Sequence, residues 1–306
     1  MPDPAGPPPY RTRLQVLFAA NARRAVILRR GPRTHYCLID WDLTTDTFTP
    51  GQWMKGLVRL SDLSPSGDKL IYWAAQHHES APWRRRAMPG LGTFDPITQR
   101  PLAPLKLRKR RKVPRYLGGP GAVEARRRAR EVTGTWTAIS SPPYFSALAI
   151  WPAHGHWTGG GVFRSEHDVY LYEREDAMTP IVNAPLSGTI SFRSAAQAAA
   201  HGFQYAPSAA RPTFGMLGHW DDRNEACDVV EKERLRAAFA EQGLVRLDWV
   251  HIAGSRMIFA GDGCIYRLDD WRGTKGSHYL SAARMIVDFR DMTFQLVTPP
   301  PASLKW

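Results

Sequence analysis

The chain has 306 residues, 43% of them hydrophobic and 23% charged, with a formal net charge of +13 and three cysteines. That length and apolar content can bury one large core or several small ones without disulfides or metals. Cys37, Cys227 and Cys264 are scattered, without CxxC or CxxH spacing, and read as reduced structural thiols rather than zinc ligands. No stretch nears the roughly 20 apolar residues that span a bilayer, so no membrane span is expected and the chain reads as cytoplasmic.

The first apolar run, Leu14 to Ala20, follows Arg11 and Arg13 and precedes an Ala-Asn-Ala triplet, which mimics a signal peptide. The run is short and contains Gln15, so it predicts a first strand instead. Ala25 to Arg29 and Tyr36 to Asp40 predict a strand pair. Gly56 to Ala74 predicts a hairpin around the turn chemistry of Ser64-Pro65-Ser66-Gly67-Asp68. Residues 82–121 then hold 12 Pro and Gly and no helical or alternating apolar period, which predicts a long loop, with a short basic helix over Ala122 to Val132. Beyond Gly134-Thr135-Trp136-Thr137, the Pro142-Pro143-Tyr144-Phe145 run predicts a rigid turn between two strands. Thr189 to Phe192 and Thr213 to Leu217 predict further strands, and Ser194 to His201 a short Ala-rich helix. Asp228 to Gln242 predicts a second helix, opened by Asp228-x-x-Glu231 and stopped by Gly243. Met257 to Phe259 and Cys264 to Leu268 predict a hairpin joined by Gly261-Asp262-Gly263, since Asp-Gly between apolar runs is a strong hairpin signal.

Gly56 to Ala74 aligns without gaps on Gly243 to Gly261 at an offset of 187, with seven identities in 19 positions, which reads as a duplicated structural unit. Leu63-Ser64-Pro65-Ser66-Gly67-Asp68-Lys69-Leu70-Ile71-Tyr72 resembles the strand-turn-strand signature of WD-type and TolB-like β-propeller blades. Tyr36-Cys37-Leu38-Ile39-Asp40-Trp41-Asp42-Leu43-Thr44-Thr45 resembles their Trp-Asp strand end and following turn. The resemblance implies a fold and transfers no catalytic residue. Subtracting an insertion of about 50 residues leaves roughly three units of blade size between the two copies. The expectation is an all-β, β-propeller-like single domain over 1–306 with about five blades, two short decorating helices, and a basic insertion at 82–132 within the second blade. Four blades or a β-sandwich are the alternatives.

The charge is confined. Residues 84–130 carry 15 Lys and Arg against two acidic residues, while the rest of the chain has 26 of each sign. Arg outnumbers Lys 33 to 8, as a high-GC genome gives, but that bias does not explain the clustering. Arg84, Arg85, Arg86, Lys106, Arg108, Lys109, Arg110, Arg111, Lys112, Arg115, Arg126, Arg127 and Arg128 are therefore the candidate contacts for an anionic partner, either an acidic protein surface or nucleic-acid phosphates. Trp83, Phe94 and Tyr116 lie among them and could stack on bases.

Other chemistries find less support. His77-His78, His154-x-His156 and His219 near Asp221-Asp222 lack a third ligand at a defined spacing, so no metal is expected, and no cofactor fingerprint occurs. Gly159-Gly160-Gly161 lacks the Lys-Ser/Thr of a phosphate loop, and no G-x-S-x-G elbow exists. Trp73, Trp136, Trp151 and Trp249 sit in apolar runs and read as packing residues. The expected function is a non-catalytic interaction module. The alternative is a carboxylate-based, glycosidase-like hydrolase in a central funnel, drawing on Asp40, Asp42, Asp221, Asp222, Asp269 and Asp270.

Overall fold

A computed structural model describes residues 12–31, 35–75, 135–152, 159–172, 181–182, 190–194, 229–244, 246–304 and 306. The described chain is mainly β, in four sheets. The first sheet is a meander of β1 (Arg13–Phe18), β2 (Arg24–Arg30), β3 (His35–Asp42) and β4 (Thr47–Lys55). The second runs β5 (Leu57–Leu63), β6 (Leu70–Ala75), β7 (Thr135–Ser140) and β8 (Ala147–Pro152), with β11 (Ile181–Val182) on its far edge. The third sheet has β10 (Asp168–Leu171) between β9 (Gly161–Phe163) and β12 (Ser191–Ser194), and β10 with β12 is the only parallel pair among the described residues. The fourth is again a meander, of β13 (Leu247–Ala253), β14 (Arg256–Gly261), β15 (Cys264–Leu268) and β16 (Arg284–Asp288). Two helices accompany them, α1 (Val229–Glu241) and the single turn α2 (Tyr279–Ala282).

The apolar pattern follows from layering. Leu17, Val26, Leu28, Tyr36, Leu38 and Met54 face the second sheet, while Leu14, Val16, Ile27, Ile39 and Trp41, on the opposite face, pack with Trp249, Ala260 and Ile265 of the fourth. The first sheet is therefore buried on both sides, and its strands read as continuous apolar runs such as Val26-Ile27-Leu28 rather than as alternation. A further core with Ile71, Ile139, Trp151 and Val169 joins the second sheet to the third. Leu235 and Phe239 of α1 close the free face of the fourth sheet against Met257, Phe259 and Tyr279. Gly243 adopts φ +90 and ends α1, with the Gly243 N–H donating to Ala240 and the Leu244 N–H to Phe239.

Several predicted elements fall where the residues place them, and others shift. The β2–β3 pair and the β14–β15 hairpin match the expected runs, and Asp262 (φ 48) and Gly263 (φ 86) supply the two left-handed residues of the tight turn. The strand expected at Thr189 to Phe192 starts two residues later and takes Ser194, which the sequence assigned to a helix; residues 195–201, like Thr213 to Leu217, lie outside the described residues. The two aligned windows each open a four-stranded run, but they are not equivalent throughout. The β5–β6 turn spans residues 64–69 and the β13–β14 turn only Gly254 and Ser255, so Leu60 opposite Tyr72 corresponds to Val250 opposite Phe259. The ungapped alignment had matched Leu60 to Leu247. The second strands keep the offset of 187 and the first strands do not.

The first strands of the four sheets lie side by side and are tied by side chains. Asp248 accepts the Leu14 N–H (3.0 Å), joining β13 to β1. Gln15 spans from β1 to β5, donating to the Leu60 carbonyl and accepting its N–H (both 3.3 Å). Ser61 donates to the Gly161 carbonyl and accepts its N–H, and Asp62 accepts the Phe163 N–H (2.7 Å), joining β5 to β9. These strands belong to separate sheets and form no backbone ladder with one another, so buried side chains satisfy the groups between them. Further along, Phe18 at the end of β1 stacks on His251 of β13 and the Asn21 N–H donates to the Pro65 carbonyl just past β5, while Asp62 follows Ser61 as Phe163 follows Gly161, so β13, β1, β5 and β9 all run in one direction. They thereby define a pole where the strands start and a pole where they end.

The C-terminal segment crosses these layers. Buried Arg29 donates to the Phe289 carbonyl (2.7 Å), the Gly31 carbonyl and the Arg290 carbonyl (3.0 Å), with its guanidinium over the Trp53 ring. Gln52 donates to the Val297 carbonyl, Phe294 packs against Trp53 and His35, and Trp306 reaches Phe192 of the third sheet.

Candidate functional site

The basic insertion connects β6 to β7. Its flanking residues, Ala75 and Thr135, are both buried and are register partners of each other, so the whole stretch 76–134 leaves and re-enters the sheet at one point. The predicted contacts Arg84, Arg85, Arg86, Lys106, Arg108, Lys109, Arg110, Arg111, Lys112, Arg115, Arg126, Arg127 and Arg128 lie outside the described residues, as do Trp83, Phe94 and Tyr116. Ala75 is also the partner of Leu57, the first residue of β5, so the insertion emerges at the pole where the first strands start.

That same pole carries cations from the folded body. Arg13 opens β1 opposite Arg30, the last residue of β2; Tyr36 opens β3's paired stretch opposite Arg30; and His35 lies opposite Lys55. Arg246 stands just before β13, with its Nε 2.6 Å from Asp248 Oδ1. Asp248 sits at the irregularity between Leu247 and Trp249, which turns its carboxylate in toward Leu14. Burial pushes the Asp248 carboxyl up to about 6, against the lowering pull of Arg246 and the Leu14 N–H. Burial and the neighbouring Arg246 and Arg30 guanidinium groups lower the affinity of Arg13 for its proton. This cluster is not legible in the sequence, because its members are up to 233 residues apart and meet only through sheet register and the Asp248 tie.

The alternative carboxylates are engaged elsewhere. Asp40 is held by Arg24 (2.7 Å), Asp42 caps the Thr44 N–H (2.7 Å), and Asp269 pairs with Arg256 and Arg267. Asp270 accepts the Gly273 N–H. Asp40 and Asp42 lie on the third strand of their sheet, and Asp269 and Asp270 follow the third strand of theirs, so none belongs to the first strands. Asp221 and Asp222 lie outside the described residues. The first-strand carboxylates, Asp62 and Asp248, are both taken up by backbone N–H groups of neighbouring sheets.

The remaining candidates are structural where they are described. Burial drives the Cys37 thiol up to about 12 and raises Cys264, so neither is a thiolate at neutral pH; Cys227 lies outside the described residues. A Cβ on Gly159 would strike Trp73 and Thr137, and one on Gly160 would strike Ser61, so these glycines permit close packing rather than cradle a phosphate. Among the described residues no group of three His, Cys, Asp or Glu could hold a metal, and His77, His78, His154, His156 and His219 lie outside them. Trp73, Trp136, Trp151 and Trp249 are buried packing residues. Among the described residues, no helix is long and apolar enough to cross a membrane. Compared with protein-family models, curated proteins and solved structures, the chain matches none of them.

Proposed function

We propose that this chain is a non-catalytic, cytoplasmic interaction module in which a β-propeller-like body presents the basic insertion 82–132 to an anionic partner, an acidic protein surface or nucleic-acid phosphates. The observation that carries the reading is the confinement of the whole net charge to residues 84–130, in a segment that joins two paired strand ends. A segment attached this way adds charge without interrupting the sheet, so the body supplies a fixed platform and the insertion supplies electrostatic attraction and fast association. Support for the propeller-like arrangement comes from the co-directional first strands, the side-chain ties from β13 through β1 and β5 to β9, and the apolar layers between successive sheets. Buried free thiols at Cys37 and Cys264 suit a reducing compartment.

The test is binding of the full chain to single-stranded RNA and to polyglutamate, before and after Lys109, Arg110, Arg111 and Lys112 are all replaced by Gln. Loss of about tenfold or more in affinity for one of these polyanions is expected, since each phosphate or carboxylate contact contributes through counterion release. Unchanged affinity for both would contradict the proposal.

A further inference from the structure

Three arginines gather around the strand-start pole of the body, outside the insertion, with Arg30 and Arg246 each close enough to Arg13 to lower its affinity for a proton. Arg13 lies directly opposite Arg30 across the β1–β2 pair. Like charges directly opposed on a sheet are destabilising. Among the described residues neither arginine has an ion pair; the guanidinium of Arg30 instead lies over the buried Tyr36 ring, 5.7 Å from its centroid. The third group arrives from another sheet. Asp248 uses one oxygen for the Leu14 N–H, next to Arg13 in the chain, and the other for Arg246 Nε at 2.6 Å. Its carboxylate is thereby committed to β1 and to Arg246, leaving three cations and one anion with a formal surplus of two positive charges. All three arginines are part-exposed, so solvent reaches them.

We propose that Arg13, Arg30 and Arg246 form a binding site for a phosphate group, with Tyr36 as the wall beneath Arg30. A phosphate monoester carries close to two negative charges at neutral pH and three acceptor oxygens. Those properties match the surplus charge and the number of guanidinium forks, and the planar forks favour a tetrahedral oxyanion over a point charge. A bound phosphate would also relieve the Arg13–Arg30 opposition, which Asp248 offsets only in part. The source is either a terminal monoester or an internal diester of a nucleic acid. The site shares the anionic chemistry of the insertion but does not depend on it.

Thermal unfolding of the full chain in inorganic phosphate, against chloride at equal ionic strength, tests the site. At a phosphate concentration about ten times its dissociation constant, Tm rises by about 2 °C. Arg13→Gln and Arg30→Gln abolish that rise, while Arg256→Gln, at the opposite pole, retains it. Without phosphate at low ionic strength, the first two variants unfold at the same temperature as the parent or higher, because one of two opposed cations is gone; this separates loss of the site from loss of the fold. Repeating the scan with a hexanucleotide with and without a 5′-phosphate assigns the source: a rise only with the terminal phosphate marks a monoester site, and an equal rise with both that Arg13→Gln abolishes marks a diester site. No rise over chloride, or an equal rise in all four proteins, overturns the proposal. The arginine variants keep the insertion, so either result leaves the polyanion binding of residues 84–130 to be judged separately.

Discussion

Asp248 and Gln15 hold the body together by the same means, a buried polar side chain reaching the backbone of a neighbouring sheet. Replacing Gln15 by Leu removes both of its bonds to Leu60 and leaves a buried N–H and carbonyl without partners. The expected cost is about 1–3 kcal/mol, read as a lower urea midpoint with unchanged slope. Asp248 acts in the opposite sense as pH rises. Its folded pKa of about 6 lies above the ordinary carboxylate value, so the folded state holds the proton more tightly than the unfolded state. The stability it contributes is complete below about pH 4, falls through the window up to about pH 6, and is absent above it, by at most about 3 kcal/mol. Asp248→Asn removes that titration, so the stability of the variant relative to the parent should climb between pH 4 and pH 6 and then level off. Chemical denaturation across that range checks it, and a flat difference would contradict it.

Legibility divides at the element scale. Asp262-Gly263 announces its hairpin because a tight turn is a local steric requirement, and the Tyr36 to Asp40 strand is legible because its apolar run is unbroken. The match of Gly56-Leu57-Val58-Arg59-Leu60 to Gly243-Leu244-Val245-Arg246-Leu247 is misleading. The first copy lies almost wholly in β5, whereas the second begins at the glycine that ends α1 and reaches β13 only at Leu247. Different turn lengths then moved the first strands out of register while the second strands stayed aligned. The alanines after Ser194 suggest a helix, yet Ser194 ends a strand paired with β10. The inter-sheet ties were illegible, since Gln15, Asp62 and Asp248 find partners 45 to 234 positions away. The range 82–132 expected from composition falls within the connection between β6 and β7, whose ends Ala75 and Thr135 are paired. Deleting residues 77–133 and closing β6 to β7 with a short Gly-Asn turn should leave the far-ultraviolet dichroism of the sheets and a cooperative thermal transition. Loss of that transition would show that the stretch is part of the core.

At the scale of the whole molecule, charge and architecture are separated along the chain and joined at one pole. The body is formally neutral outside residues 84–130, and its sheets are layered from α1 through the fourth, first and second sheets to the third. The insertion emerges where the first strands start, beside Arg13, Arg30 and Arg246. On this account a polyanion meets two basic elements on one side, the larger being the insertion. The measurement that tests this most directly is the salt dependence of single-stranded RNA binding by the full chain and by the chain lacking residues 77–133. The account predicts that log affinity falls against log salt with a slope of about −4 or steeper for the full chain, corresponding to about six or more phosphate contacts, and of about −2 or shallower for the shortened one. Equal affinity and equal slope in the two proteins would contradict it.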